Sequence, residues 1–316
     1  MAKKLPTKFP LISLSDNISK ALFQLKENEQ GKFGKEIVEN EKFNFKTILK
    51  VEPFENEPLD VFDQQIFQLA LSYQDAGFTS ATLAQIYRDL GGDGKHLTKA
   101  RKEKILHSVT KLSRSFITIT IQKEYIDANK FETDKKFVPV KNKQGKDFLQ
   151  CRGYLLPCEI TVGKVNGKDV DLVRFLGESP LFSVAEMKKQ LSKLDANLIR
   201  VPNLRAETTA VKLKCVLLAR INDCKRSWQP NKKTFGRGKG KKIVDVSNKL
   251  CKKLTFEKIF SLCDLSANKK HNDRYRATIE KILNHFQDLG FISEWNFEKV
   301  GHEFYALTFD FVQGGY

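Results

Sequence analysis

The sequence predicts a helix-rich α+β fold in two domains. Apolar residues recur at helical spacing in several segments, and short alternating runs of β-branched or aromatic residues follow them. The length of 316 residues allows about two domains at roughly 150 residues each. We expect a peripheral segment over 1–50, a first domain over 51–228, a basic glycine-rich linker over 229–243 and a second domain over 244–316.

Three helices are predicted at the start of the first domain. Apolar residues at helical spacing over 58–77 predict the first of them. Thr79 and Ser80 are expected to cap a shorter second helix, which ends at the glycine pair 91–92. A third, strongly basic helix is expected over 98–113.

An extended wing is predicted after the third helix. The alternating run 116–121 reads as a strand, and the Asn-Gly pair at 166–167 is a hairpin signal. Further strands are expected over 148–157, 160–165 and 170–176. Helix, short helix, tight turn, basic helix and strand is the order of a winged helix-turn-helix, whose third helix enters the major groove of DNA. We therefore expect a first winged helix-turn-helix domain with an extended wing and a small antiparallel sheet.

A second winged helix-turn-helix is expected in the last part of the chain. There, helical patterns are again followed by two alternating runs that flank Gly301. The remaining elements are predicted as helices over 183–194, 206–224, 246–254, 256–263 and 273–289, and as strands over 198–201, 291–297 and 303–311.

The positive charge is concentrated in two stretches. The chain has 55 Lys and Arg against 38 Asp and Glu, a net charge of +17. Residues 95–114 hold 7 basic and 1 acidic side chain, and residues 205–243 hold 12 basic and 2 acidic. A lone basic helix is more often an ordinary solvated face, but here the local ratio and the flanking elements favour a polyanion. No basic amphipathic helix with an aromatic apolar face is obvious, so nucleic acid is favoured over a membrane surface.

The residues expected to contact DNA lie on the predicted basic helices, on the basic linker, and at positions next to these segments in the sequence. Arginine and lysine on phosphates would position the protein, and Asn268, His271 and Asn272 are the better candidates for base edges. Lys111 is expected on the outside of its helix with the other basic residues. The basic linker is about equally well explained as a solvated tether. The full candidate set is Thr79, Ser80, Lys95, Lys99, Arg101, Lys102, Lys104, Lys111, Arg114, Arg205, Lys212, Lys232, Lys233, Arg237, Lys239, Lys241, Lys242, Asn268, Lys269, Lys270, His271, Asn272, Arg274, Tyr275 and Arg276, with Lys214, Arg220, Lys225 and Arg226 as further possible phosphate contacts.

No catalytic or cofactor motif is found in the sequence. Gly94-Lys95 is followed by His96 rather than Ser or Thr, which excludes a P-loop. The five histidines are scattered, and the six cysteines form no C-x-x-C pair. The carboxylate pairs Asp60/Asp63 and Asp169/Asp171 are better explained by a helix first turn and a hairpin strand. We expect a protein without a metal, a cofactor or its own enzymatic activity. With no signal peptide or membrane span in the sequence, we expect it in the cytoplasm.

Five segments of the chain resemble the winged-helix replication initiator proteins of plasmids and related phages. They are PLDVFDQQIFQLAL, TSATLAQIYRDLGG, LTKARKEKILHSVTKLSRSFITITI, NLRAETTAVKLKCVLLARI and YRATIEKILNHFQDLGFISEW. The resemblance implies two winged-helix domains that bind repeated sites at an origin, open or bend the duplex and recruit a host helicase and primase. It also implies a possible homodimer through the first domain, in a protein associated with the nucleoid or plasmid. The long wing insertion and the basic tether depart from that pattern.

Three other functions stay open from the sequence. A two-domain transcriptional regulator would share every feature except opening and recruitment. A DNA-nicking enzyme would need carboxylates that assemble from distant segments around a metal. RNA binding is disfavoured because the sequence shows no aromatic-rich sheet motif of the kind that stacks unpaired bases.

Overall fold

The chain divides into two compact units, Met1–Arg200 (unit 1) and Val201–Tyr316 (unit 2), in a computed structural model. The structure describes residues 10–14, 22–23, 36–40, 46–92, 97–122, 137–141, 147–165, 168–187, 191–202, 204, 207–227, 232–235, 242–245, 253–265 and 269–311.

The helices of unit 1 begin at polar caps. They are α1 (Val61–Asp75), α2 (Leu83–Asp89), α3 (Lys99–Arg114) and α4 (Pro180–Met187). The Asp60 carboxylate accepts hydrogen bonds from the backbone N–H groups of Phe62 and Asp63, and the Asp63 carboxylate accepts one from the Asp60 N–H. This reciprocal cap satisfies donors that a helix start leaves open. Residues 61–73 of α1 are all buried, so this helix is enclosed by the rest of unit 1.

The strands of unit 1 form three antiparallel sheets in the described residues. The strands are β1 (Pro10–Leu14), β2 (Glu36–Asn40), β3 (Lys46–Glu52), β4 (Ser80–Thr82), β5 (Phe116–Gln122), β6 (Val138–Lys141), β7 (Asp147–Tyr154), β8 (Cys158–Val165), β9 (Lys168–Phe175) and β10 (Leu191–Asp195). The sheet orders are β1-β10, β2-β3-β5-β7-β6 and β4-β9-β8. The five-stranded sheet has one buried face, and α4 packs on that face. The packing is close, because a Cβ atom added to Gly153 of β7 would lie 3.1 Å from Cγ of Pro180 in α4.

One sequence prediction for the α1–α2 region and two further along are wrong in detail. Thr79 and Ser80 do not cap α2, because Ser80 lies in β4 and Thr82 is the residue that accepts the capping hydrogen bond from Gln85 N–H. The helix predicted over 183–194 ends at Met187, and the strand predicted over 198–201 is a 3₁₀ turn. The strand β10 that follows α4 pairs with β1, at the other end of unit 1, so local periodicity gave no sign of it.

Unit 2 contains three helices and five strands in its described residues. They are α5 (Thr208–Ser227), β11 (Lys232–Phe235), β12 (Lys242–Asp245), β13 (Lys253–Thr255), α6 (Phe256–Leu262), α7 (Lys269–Asp288), β14 (Glu294–Val300) and β15 (Glu303–Asp310). The helices pack on one another through buried apolar side chains such as Leu213 and Leu217 of α5 and Ile282 and Phe286 of α7. The strands form the sheets β11-β12 and β13-β15-β14. Gly301, with φ 61°, closes the β14–β15 hairpin in a conformation that L side chains rarely adopt.

The segment between α5 and α6 differs from its prediction. The expected linker over 229–243 contains β11 and the start of β12, which pair antiparallel with Phe235 opposite Lys242. The helix predicted over 246–254 is also wrong where the structure describes it, because residues 253–255 form β13 and pair with β15. Residues 246–252 lie outside the described part of the chain.

The architecture as a whole is mixed α and β with small antiparallel sheets, which agrees with the predicted α+β class. Among the described residues, none of the helices has the length and apolar content that a membrane crossing requires.

Candidate nucleic-acid interface

The basic helix α3 lies with its apolar side chains inward and its N-terminal turn in solvent. Ile105, Val109 and Leu112 are buried. At the start of the helix Thr98, Lys99 and Ala100 are all exposed, and Thr98 accepts a hydrogen bond from the Arg101 N–H. Lys99 is 89% exposed and lies 3.8 Å from the Glu103 carboxylate. An exposed N-terminal turn is the part of a recognition helix that reaches base edges.

The next two basic residues of α3 are partly engaged within unit 1. The Arg101 guanidinium donates to the Tyr87 hydroxyl at 3.3 Å and lies 6.0 Å from the centre of that ring. Lys102 forms an ion pair with Asp171 of β9, and the Lys102 side chain is only 27% exposed. This ion pair ties the helix to the β8–β9 hairpin, so Lys102 meets a carboxylate where the sequence predicted a phosphate.

Lys111 is wrongly assigned to the DNA-contacting set. Its side chain is buried, its ammonium lies 2.6 Å from the Asp63 carboxylate, and it donates to the Pro58 carbonyl at 3.0 Å. The same carboxylate accepts a hydrogen bond from the Ser108 hydroxyl at 2.6 Å. Burial raises the pKa of Asp63 above its ordinary value, with Asp60 adding to the rise, while Lys111 and Ser108 oppose it. Lys111 is therefore a structural cation that compensates a buried carboxylate.

Four other candidates of unit 1 lie at its surface. Lys104 is exposed, with its ammonium 5.6 Å from the centre of the Phe62 ring, and Arg114 is exposed and stacks at 4.9 Å over Phe54. Thr79 is exposed, and Ser80 is half-buried in β4 opposite Arg174.

In unit 2, two candidate arginines on α7 have different surroundings. Arg274 is 72% exposed and pairs with Glu207 at 3.0 Å. Arg276 is 23% exposed, pairs with Asp273, and stacks at 3.9 Å over the ring of Phe304 in β15. Arg276 thus holds the β14–β15 hairpin to α7, which makes Arg274 the more accessible of the two arginines.

The remaining candidates near the start of α7 turn partly inward or lie outside the description. Tyr275 is half-buried, with its ring 5.4 Å from that of Phe260 in an edge contact, so it packs inside unit 2. The Asn272 side-chain oxygen is buried without a hydrogen-bond partner in the described structure. Lys269, Lys270 and His271 belong to α7, and only their backbone is described.

The basic residues of α5 also divide between surface and core. Lys212 is half-buried, whereas Lys214 is buried, with 1% of its surface exposed, and its burial lowers its pKa to about 7. Lys225 donates to the Phe291 carbonyl at 2.9 Å and lies 4.5 Å from the centre of that ring. The expectation that Lys214 contacts phosphate is therefore wrong.

The remaining candidates are described by their backbone alone or lie outside the described residues. Lys95, Arg205, Arg237, Lys239, Lys241 and Asn268 lie outside the described residues, and the backbone alone is described for Lys232 and Lys233 in β11 and for Lys242 in β12.

One exposed basic residue was missed by the sequence reasoning. Lys281 of α7 is exposed and follows Arg274 by seven residues, two helical turns further on, so both lie on one side of the helix. That spacing was present in the sequence and could have identified it.

No group of three or more potential metal ligands occurs within the described ranges. Around α3, Asp171 of β9 pairs with Lys102, Asp63 of α1 pairs with Lys111, and Glu103 of α3 itself pairs with Lys99.

Comparison with known proteins gives a weak structural likeness. No protein-family model matches the chain, and no curated protein matches it. Among solved structures, the chain is similar to a selenomethionine derivative of domains 2 and 3 of RctB, with a TM-score of 0.44 and 9% identity over 94% of this chain and 97% of that one. A second structure of RctB domains 2–3 gives a TM-score of 0.47 and 10% identity over 92% of this chain and 96% of that one.

Proposed function

We propose that the protein is a sequence-specific double-stranded DNA-binding replication initiator built from two winged helix-turn-helix units. The observation that supports this most is a repeated topology. Unit 1 has the order α1, β4, α2, α3 and the β8–β9 hairpin, with β5, β6 and β7 inserted between α3 and the hairpin. Unit 2 has the order α5, β13, α6, α7 and the β14–β15 hairpin, with β11 and β12 inserted between α5 and β13. In both units the short strand that precedes the second helix pairs with the second strand of the hairpin, which gives the sheet orders β4-β9-β8 and β13-β15-β14.

In this proposal α3 and α7 are the recognition helices. Each is the third helix of its unit and precedes the hairpin that acts as the wing. Lys99 and Lys104 on α3, and Arg274 and Lys281 on α7, are the exposed basic side chains that would meet phosphates. Two DNA-binding units in one chain are suited to repeated sites at a plasmid or phage origin. Binding there would promote opening of the duplex and recruitment of host replication proteins.

The first test measures how binding to duplex DNA depends on salt. A binding site is selected from random duplexes with the purified protein, and affinity is measured by fluorescence anisotropy over a range of salt concentrations. Each phosphate contact contributes about 0.9 to the slope of log affinity against log salt. The double variants Lys99→Ala with Lys104→Ala, and Arg274→Ala with Lys281→Ala, should each reduce the slope by about 2. Lys193→Ala, an exposed lysine of β10 that pairs with Asp75, is the matched control and should leave the slope unchanged. Wild-type slopes near zero would contradict DNA binding.

The second test separates an initiator from a regulator. Permanganate reactivity of unpaired thymines in a selected site placed beside A·T-rich DNA should rise when the protein is added. Binding without any rise in reactivity would leave a transcriptional regulator, and metal-dependent nicking of a supercoiled plasmid would instead indicate an enzyme.

A further inference from the structure

We propose that the open face of the five-stranded sheet of unit 1 binds single-stranded DNA. The accessible part of this outer sheet face consists of Lys50, Glu52, Phe116, Thr118, Thr120, Gln150, Arg152, Tyr154 and Val138, with Ile48 and Val140. Phe148 lies on the same face next to Gln150 and is buried. The inference rests on the proposed function only for the origin of the single strand, which duplex opening would supply.

The two faces of the sheet differ sharply in exposure. In β5 the side chains of Ile117, Ile119 and Ile121 are buried, whereas those of Phe116 and Thr118 are part-exposed. The same alternation occurs in β7, where Cys151 is buried and both neighbours on the other face, Gln150 and Arg152, reach solvent. The buried face packs on α4, whereas the outer sheet face is accessible from the Phe116–Tyr154 pair to the Thr120–Gln150 pair, beyond which Phe148 is buried.

The pairing register brings two aromatic rings together on the outer sheet face. Phe116 of β5 lies directly opposite Tyr154 of β7, with ring centroids 5.6 Å apart and ring planes at 89°. Tyr154 is 52% exposed, which is large for a tyrosine that already has an aromatic neighbour. An exposed ring of this kind offers a π face on which an unpaired base can stack.

A basic and polar row lies beside the aromatic pair. Lys50, Thr118 and Arg152 are aligned across β3, β5 and β7, and Lys50 and Arg152 are exposed. In the next row the Gln150 amide donates to the Thr120 hydroxyl at 3.4 Å. Cations next to aromatic rings, with hydroxyl and amide groups beyond them, are the combination by which proteins track a single strand without reading its sequence.

Duplex DNA and a second copy of the chain fit this face less well. The base edges of a duplex are read in its grooves by a helix or a two-stranded ribbon, and its bases are already paired and stacked, so they cannot stack on an exposed tyrosine of a sheet. The central part of a protein–protein interface is depleted of charged residues, whereas Lys50 and Arg152 lie in the middle of this face. Glu52, the acidic side chain described on this face, lies at the end of the aromatic row, opposite Phe116.

The test measures the affinity of the full-length chain for a fluorescent oligothymidylate of about 20 nucleotides, longer than the ~4–16 nucleotides that one OB fold covers. Replacement of Tyr154 by Ala should weaken binding roughly 5- to 150-fold, the range that stacking of one base gives, whereas Tyr154→Phe should retain it. Arg152→Ala should weaken binding and lower its salt dependence. Lys193→Ala, which changes an exposed lysine of β10 in the same unit, is the control for Arg152→Ala and should leave oligothymidylate binding unchanged.

The same variants are tested on the selected duplex and by sedimentation velocity. Unchanged duplex affinity with lost oligothymidylate affinity supports the inference. Oligothymidylate binding without any duplex binding would contradict the proposed function and leave this inference standing. The inference is overturned if Tyr154→Ala and Arg152→Ala bind the oligothymidylate like wild type, or if Tyr154→Ala converts a dimer into a monomer, which would make the face a contact between copies.

Discussion

Replacement of the buried Lys214 by Met should stabilise unit 2, and the gain should depend on pH. Lys214 has 1% of its surface exposed, and burial lowers its pKa from 10.5 to about 7. In the unfolded chain the amine holds its proton up to about pH 10.5, so below that pH folding requires either proton release or burial of a charge. The pKa of Lys214 is lower in the folded state than in the unfolded state. The penalty on folding stability is therefore complete below pH 7 and disappears as the pH rises from 7 towards 10.5.

The magnitude follows from the difference between the two pKa values. At about 1.4 kcal/mol per unit, a shift of roughly 3.5 units corresponds to about 5 kcal/mol at low pH. The linkage relation reduces this to about 4 kcal/mol at pH 7.5 and about 3 kcal/mol at pH 8.5. Lys214→Met removes the titrating amine, so the amount by which its unfolding free energy exceeds that of wild type should decrease with pH as this penalty does.

The assay is urea unfolding followed by tryptophan fluorescence. Both tryptophans of the chain, Trp228 and Trp295, fall within the range of unit 2. Trp295 lies in β14 and its indole N–H donates to the Asn284 side chain, so its emission should change when that unit unfolds. The difference between variant and wild type should fall by about 2 kcal/mol from pH 6 to pH 8.5. Lys258→Met, on the exposed side of α6, is the control and should give a difference near zero at both pH values. A Lys214→Met difference that does not change with pH would refute the reasoning.

Gln65, Lys111 and Arg276 provide three further predictions. Both polar atoms of the Gln65 amide, Nε2 and Oε1, are buried without a hydrogen-bond partner in the described structure. Gln65→Met should therefore raise the unfolding free energy of unit 1 by about 1–2 kcal/mol, measured by circular dichroism in urea. A lower unfolding free energy would show that the substitution had removed a stabilising interaction. Lys111→Met leaves the buried Asp63 carboxylate without its cation and should lower the unfolding free energy by about 3–5 kcal/mol in the same measurement. The control Lys99→Met, at an exposed lysine, should change it by no more than about 0.5 kcal/mol. Arg276→Ala removes the stack on Phe304 and should lower the stability of unit 2 by about 1–2 kcal/mol by tryptophan fluorescence, with Arg274→Ala near zero; equal effects would contradict the different roles of the two arginines.

The long helices could be predicted from the sequence, whereas several short strands could not. The patterns over 58–77, 98–113 and 273–289 lie close to α1, α3 and α7, because each helix keeps a sustained apolar stripe. The strands β4, β10 and β13 are 3 to 5 residues long. Each is fixed by a partner far away in the sequence, which local spacing does not reveal. Single-sequence patterns carry no information about such pairings.

For the candidate site, the sequence located the basic helices but not the partners of their charges. Lys102 and Lys111 occur in the same basic run as Lys99, yet each meets a carboxylate from another element, Asp171 or Asp63. The aromatic pair on the outer sheet face could not be predicted from the sequence for a related reason. Phe116 and Tyr154 are 38 positions apart in the numbering, and only the register of β5 with β7 sets them side by side.

The position of α5 decides how the molecule can be dissected. The helix α5 supplies buried side chains to unit 2 and precedes the β11–β12 hairpin. A C-terminal fragment that begins at 244 lacks α5, so the apolar surface that α5 covers on the rest of unit 2 would be exposed and the fragment should aggregate. A fragment that begins at 201 carries its own first helix. Truncation analysis of origin binding, or genetic complementation with separate halves, would therefore give interpretable results only when the chain is divided near 200.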